Sequence, residues 1–166
     1  EVVIRNIAAG SLTRRLGIPS GEKLNRTIVE FYYKDDELQD PLVSEEHILT
    51  FGWASQNELD EITSLALRIN DFLAGYFSAI KIQLVDFKIE FGRLYKNEEV
   101  YVVLADEISP DSCRLWDFET KQKMDKDVYR ENSGYLLDGY NEVAKRMGLL
   151  TQNGTSKNNK PTLVKG

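Results

Sequence analysis

Between Ser55 and Gly92 the hydrophobic pattern changes period once, and that change limits the folds open to this chain. Leu59, Ile62, Leu65, Ala66, Ile69, Phe72, Leu73, Tyr76, Phe77 and Ile80 recur at spacings of three and four. They predict one long helix with its apolar stripe in the core. Ser55 followed by Glu58 is a capping-box signature at its start. Shortly after it, "LVDFKIEFG" (residues 84–92) alternates with period two. Val85, Phe87, Ile89 and Phe91 fall on one face, and Asp86, Lys88 and Glu90 on the other. Such a strand needs a packed layer beneath it, so an α+β fold is expected, with antiparallel sheet against helices.

The rest of the chain supplies further strands and short helices. "EVVIR" reads as a strand, "NIAAGSLTRRLG" as a small-residue turn and a short basic helix, and residues 26–34 as β-rich. "DDELQDPL" is an acidic loop in which Pro41 disfavours helix at Asp40. Ser44 caps a short helix through about Thr50. Residues 81–108 read as a hairpin turning at "KNEE", and "CRLWD" as a short extended piece. A last helix starts at Asp125 or Asp127, with Leu136, Leu137, Tyr140, Val143, Ala144 and Met147 on one face, and Gly148 ends it. Residues 1–150 are expected to form one domain. Residues 151–166, poor in hydrophobic side chains, are expected to form a flexible tail. The first strand opens at Glu1 with no leading turn, so an upstream segment is expected.

Composition excludes several classes. A net charge of −6 argues against broad nucleic-acid binding, which needs a basic surface. His47 is the one histidine, so neither a His-based triad nor a multi-His zinc site can form within the chain. Cys113 is the one cysteine and reads as a small half-buried residue, with no internal disulfide. No apolar run approaches the roughly 20 residues of a membrane span. A cytoplasmic protein without a membrane partner is expected.

The charged face of the signature strand admits two readings: a surface charge ladder, or a binding face. If the hairpin turn centres on Glu98, Glu90 faces Asp106, with Cβ atoms about 5 Å apart. A one-residue slip moves Asp106 to the other face. In the first register the two carboxylates can share Mg2+, which takes one or two carboxylates and completes its shell with water and phosphate oxygens. Lys88 would then stand as a fixed positive charge near a phosphoryl group. In "RNIAAGS", Arg5, a Gly10 free to take positive φ and Ser11 at a helix start can cradle a phosphate. Arg114 in "SCRLWD" is a third anion-binding candidate, or the partner of a surface ion pair with Asp111 or Asp117.

Together these stretches resemble one family. "EVVIRNIAAGS" is similar to the first signature of SAICAR synthetases (phosphoribosylaminoimidazole-succinocarboxamide synthases), and "LVDFKIEFG" to the second. "FYYKDDELQDP", "TFGW", "LADEISPDSCRLWD" and "KMDKD" follow the family in order, over about residues 1–148. The resemblance implies a SAICAR synthetase-like fold. It also implies ATP-dependent ligation of L-aspartate to the carboxylate of carboxyaminoimidazole ribonucleotide (CAIR) in purine biosynthesis. By that resemblance Arg5, Ser11 and Arg114 bind the ribonucleotide phosphate, and Glu1 approaches the imidazole. Asp40 lies in a loop lining the cleft. Asp86 and Lys88 sit against the reacting carboxylate and the ATP phosphates. Lys34 lies near the nucleotide, and Glu90 and Asp106 hold Mg2+. Family members often form homo-oligomers.

The family also has an N-terminal lobe ahead of the first signature, with a loop over the ATP phosphates. The resemblance therefore implies an ATP cleft shared with a lobe outside this sequence, and an inactive chain without it. Two other readings are a kinase-like ATP-dependent phosphotransferase and a non-catalytic binder of phosphorylated ligands.

Overall fold

The structure is a computed structural model. It describes residues 1–131 and 136–150. The tail expected from Thr151 and the side chain of Leu136 lie outside the described residues.

Five strands form one antiparallel sheet: β1 (Val2–Ile7), β2 (Lys23–Tyr32), β3 (Leu42–Val43), β4 (Ile82–Ile89) and β7 (Cys113–Asp117), in the order β3-β2-β1-β4-β7. Its two faces differ in chemistry. Val2, Ile4, Phe31, Phe87, Ile89 and Leu115 are buried on one face, beneath the long helix α3 (Gln56–Ala79). Fully burying each large side chain contributes about 1.5–3 kcal/mol, so this layer dominates the fold's stability. Ser55 and Glu58 form the expected reciprocal cap on α3.

The buried stripe of α3 is narrower than its apolar periodicity. Leu59, Ala66, Leu73 and Phe77 are buried, whereas Phe72 is 71% exposed and stacks on the half-exposed Tyr76. Asn70 takes a core position instead. It accepts a hydrogen bond from Asn6 Nδ2 at 2.7 Å, and Asn6 in turn accepts from Thr27. The pair pins α3 against β1.

Strand β4 departs from simple alternation. Its pairing with β7 shifts between Leu84 and Asp86. This bulge reverses the parity, so Leu84 joins Phe87 and Ile89 under α3, and Val85 packs with Ile7, Ala9 and Trp116. Val85 therefore does not share the face of Phe87 as expected.

The long hairpin read over 81–108 is two structures. Pairing breaks at Glu90, and β5 (Phe91–Lys96) with β6 (Glu99–Leu104) forms a separate two-stranded sheet. Asn97 and Glu98 both have positive φ, at 50° and 66°, and form a two-residue turn between Lys96 and Glu99. The turn is thus one residue shorter than one centred on Glu98. Ala105, not Asp106, meets Glu90, donating its N–H to the Glu90 carbonyl at 3.0 Å.

The short helices are α1 (Ser11–Leu16), α2 (Glu45–Thr50, capped by Ser44), α4 (Asp127–Arg130) and α5 (Leu136–Arg146). The single last helix expected from Asp125 or Asp127 is thus two helices. Val143 of α5 is buried, and Gly148 follows with φ 73°. Among the described residues no helix is long and apolar enough to cross a membrane.

Candidate active site

The sheet face opposite α3 carries Arg5, Glu30, Tyr32, Asp86, Lys88 and Arg114, because these positions alternate with the core residues of β1, β2, β4 and β7. Cross-strand pairing sets the neighbours. Arg5 stands opposite Asp86, and Asp86 opposite Arg114. A chain of alternating charge results. Arg5 Nε donates to Glu30 at 2.7 Å and its Nη1 to Asp86 at 2.9 Å. Arg114 Nη1 donates to both oxygens of Asp86, at 3.0 and 2.9 Å, and Arg114 Nε to Asp127 at 2.6 Å. Arg15 extends the chain at the Glu30 end.

These contacts revise one expectation. Arg114 pairs with Asp86 and Asp127, not with Asp111 or Asp117. Asp86 is 3% exposed and is engaged by both guanidiniums. It anchors the two arginines while lining the pocket over this face.

The Arg5–Ser11–Arg114 grouping is assembled around Gly10. Arg5 Nη2 donates to Ser11 Oγ and to Tyr32 Oη, each at 3.0 Å. Gly10 has φ 58° and ψ −127°, a region open to glycine alone, and a Cβ there would stand 2.5 Å from Arg114 Nη2. Gly10→Ala is therefore expected to lower stability by about 2 kcal/mol and to displace the Arg114 guanidinium. Urea unfolding, together with titration of a ribose 5-phosphate ligand, checks both effects. An unchanged midpoint would contradict the strain.

Arg114 is held from behind as well. Asp125 is fully buried and accepts from the N–H groups of Leu115 at 2.8 Å and Asp127 at 2.9 Å. Burial pushes its carboxyl up to about 6 against the pull of those two bonds. The pair of bonds fixes the turn that presents Asp127 to Arg114. Cys113 is fully buried where a half-buried residue was expected, and burial pushes its thiol up to about 12, too high for a nucleophile.

A pocket of about 350 Å³ opens over this face. Glu1, Arg5, Ser11, Asp40, Asp86, Lys88 and Arg114, all expected from the sequence, line it together. Asp40 reaches it from a loop in which Gln39 and Asp40 both have positive φ. Lys88 Nζ donates to Glu1 at 2.9 Å and lies 3.7 Å from Glu90. Partial burial opposes the Lys88 charge. The Glu1 hydrogen bond and the charges of Glu1, Glu90 and Asp106 outweigh it and hold the ammonium above its usual pKa.

Lys34 and Glu90 lie outside this pocket and form an ion pair with each other. Asp106 is exposed and accepts from the N–H of Glu107 at 2.8 Å. Its charge still reaches Lys34 and Lys88. Among the described residues no group of three or more His, Cys, Asp or Glu is placed to hold a metal. Mg2+ needs no such group, since one or two carboxylates suffice beside phosphate oxygens. Glu90, which meets Lys34 and lies 3.7 Å from Lys88, can supply one such carboxylate.

Sequence reasoning passed over Tyr32, Ser112, Lys126 and Arg130, which also line the pocket, and Glu30 and Asp127, which hold the arginines. Glu30 left a signal as the one charge inside "TIVEFYY". Lys126 and Asp127 lie in or beside "KMDKD", where alternating charges mark a segment with more than a solvated role.

Comparison with known proteins bears on this arrangement. The family model for SAICAR synthetase matches residues 1–147. The phosphoribosylaminoimidazole-succinocarboxamide synthase of Sinorhizobium medicae is 61% identical over 165 residues, which are 99% of this chain and 65% of that protein. The chain thus spans about 65% of the length of the curated relatives it matches. Among solved structures, the synthase from Ehrlichia chaffeensis superposes with a TM-score of 0.86 at 50% identity, covering 91% of this chain and 64% of that one. A SAICAR synthetase in complex with ADP superposes with a TM-score of 0.82 at 48% identity, covering 88% and 61%. The match runs through both signature strands and the whole charged sheet face, and the solved structures share the same mixture of helix and antiparallel sheet. The chain belongs to the SAICAR synthetase family.

Proposed function

We propose that residues 1–150 form the ribonucleotide- and metal-binding part of an ATP-dependent ligase. It joins L-aspartate to the carboxylate of CAIR and releases ADP and phosphate, in purine biosynthesis. The observation that carries this reading is one pocket lined by both the Arg5–Ser11–Arg114 grouping and the Lys88 ammonium. A substrate with a sugar phosphate and a separate carboxylate matches both. The names of the curated relatives and the ADP complex of a solved relative support the same reading.

The chemistry sets what the residues must do. A carboxylate does not accept an amine until one of its oxygens becomes a leaving group. Attack of that oxygen on the γ-phosphorus of ATP expels ADP and gives an acyl phosphate. The aspartate amine then attacks the acyl carbon, loses a proton, and expels inorganic phosphate. Arg5, Ser11 and Arg114 hold the sugar phosphate while Glu1 approaches the imidazole and Asp40 lines the cleft. Lys88 meets the reacting carboxylate and stabilises charge that develops on it. Lys34 meets the nucleotide. Asp86 positions the two arginines. Glu90 with Asp106 would hold Mg2+, which supplies charge neutralisation between phosphate oxygens when bound. A cytoplasmic setting fits a chain whose one cysteine is buried and held as the thiol.

Arg114→Ala is expected to weaken CAIR binding by roughly 1.5–3 kcal/mol, the scale of charge-assisted hydrogen bonds. ATP affinity should change little. Calorimetric titrations of both ligands, on a protein of the family's full length carrying these residues, check this. Unchanged CAIR affinity would remove Arg114 from the site, and absence of aspartate-dependent ADP release by the unsubstituted protein would overturn the reaction.

A further inference from the structure

Arg114 engages its guanidinium nitrogens unequally. Nε donates to Asp127 at 2.6 Å, and Nη1 donates to both oxygens of Asp86. Nη2 has no acceptor among the described residues, and it lies against Gly10, the residue before Ser11. Nη2 is therefore the nitrogen free to meet a ligand in the pocket that Arg114 lines. Its aim depends on where Asp127 holds Nε.

Asp127 is set in turn by Asp125. One oxygen of the Asp125 carboxylate accepts from the N–H of Leu115, the residue after Arg114, at 2.8 Å. The other accepts from the N–H of Asp127 at 2.9 Å. A single buried side chain thus ties together the two backbone points from which the Arg114–Asp127 ion pair is built. The segment between them is held on two sides. Met124 donates its N–H to the Leu115 carbonyl at 2.8 Å. Gly139 of α5 comes so close that a Cβ there would stand 3.0 Å from the Met124 Cα. Little room is left for the backbone to reset Asp127 by another route.

Resting on the functional reading above, we infer that Asp125 is a positioning residue for the sugar-phosphate grip. Its ionised carboxylate brackets Leu115 to Asp127 and so aims Arg114 Nη2 into the pocket. Both oxygens are required. A protonated carboxyl keeps one good acceptor and turns an O–H toward the other N–H, which opens the bracket. The groups that face Asp125 are Asp127 and Arg114, with Cys113 of β7 and Tyr140 of α5 beyond them. Burial outweighs the two N–H bonds and places the carboxyl at about 6. That lies above the usual carboxylate value, so the ionised group costs the fold stability at neutral pH. The cost disappears as pH falls through about 6. The carboxylate therefore serves position rather than stability.

Calorimetric titration of the 166-residue chain with ribose 5-phosphate, parent beside Asp125→Asn, tests the inference over a range of pH. At about pH 7.5 the variant is expected to bind about tenfold more weakly, the scale of one misaimed charge-assisted contact. The ligand's own phosphate takes up a proton near pH 6, and the variant carries that same change. The ratio of the two affinities therefore isolates the protein. It is expected to fall within about twofold at about pH 5, where the parent's carboxyl is protonated and as neutral as the amide. A merely structural role would leave the ratio the same at every pH. That result overturns the inference, as does equal affinity at about pH 7.5. Should the parent not bind ribose 5-phosphate, the functional reading fails on its own. The bracket is then followed without ligand, by NMR of the parent over the same range, which also serves if Asp125→Asn does not fold. The Leu115 and Asp127 amide signals and the Arg114 Nε–H signal are expected to shift together, with one midpoint near 6. Separate midpoints, or no titration of the two amides, overturns the bracket.

Discussion

Replacing Glu90 by Gln is expected to lower turnover by at least about a hundredfold, the scale of losing one preorganised electrostatic partner, with the fold intact. Glu90 sits where the signature strand leaves the main sheet. There its carboxylate meets Lys34 and lies 3.7 Å from Lys88. The amide keeps the shape of the side chain but removes the charge. On the proposed role, a hard divalent cation would gain little from a neutral amide oxygen, and the charge neutralisation it supplies at the nucleotide phosphates would weaken. The melting temperature should hardly move, because Phe87 and Ile89 on the opposite face are untouched and the Lys34 side chain is 63% exposed. Rates measured across a magnesium series decide the matter. Near-normal turnover at low magnesium would return Glu90 to the surface charge ladder. Asp106→Asn, assayed beside it, is expected to have a smaller effect, since Asp106 stands on an exposed loop beyond the hairpin pairing.

Asp86→Asn is expected to act on the fold itself, lowering unfolding stability by about 3 kcal/mol, as breaking a buried ion pair does. Two guanidiniums converge on this carboxylate, and both it and Arg5 are nearly inaccessible to solvent. An amide presents one oxygen in place of two and turns an N–H group toward a cation. Glu30 and Asp127 remain at the two ends of the chain, so the arginines keep one partner each and folding is not abolished. For a chain of this size the loss corresponds to roughly 10 °C in melting temperature. Calorimetric melting with urea unfolding measures it. A variant as stable as the parent would mean that Asp86 faces the substrate after all and that the arginines are positioned by other contacts.

Much of the site was legible because its chemistry is local in sequence. The alternation places Asp86 and Lys88 on one face of β4, with Glu90 just past its end. Arg5, Gly10 and Ser11 lie within one strand-to-helix turn, so their proximity follows from chain geometry. The caps at Ser44 and Ser55 were legible for the same reason, since a cap joins residues three apart. The apolar stripe of α3 overstated the core. Periodicity places Phe72 and Tyr76 on the stripe's margin, and only the width of the sheet beneath decides which margin is covered.

By itself, the sequence determined which residues are charged on which strand, where α2 and α3 start, and that Gly10 is free to take positive φ. Those properties depend on side-chain period, capping and backbone sterics, all of which act over a few residues. Tertiary structure alone decided the partners. A bulge at Val85 reversed the strand's parity, and a two-residue turn at Asn97 and Glu98 carried Asp106 out of line with Glu90. The sheet order β2-β1-β4-β7 set Glu30, Arg5, Asp86 and Arg114 side by side from four separate strands. Burial then turned Asp86 from a surface charge into the anchor of two arginines. Register, strand order and burial are properties of the whole chain's packing, because a pairing between Arg5 and Asp86 is favoured only once every intervening segment has found its place.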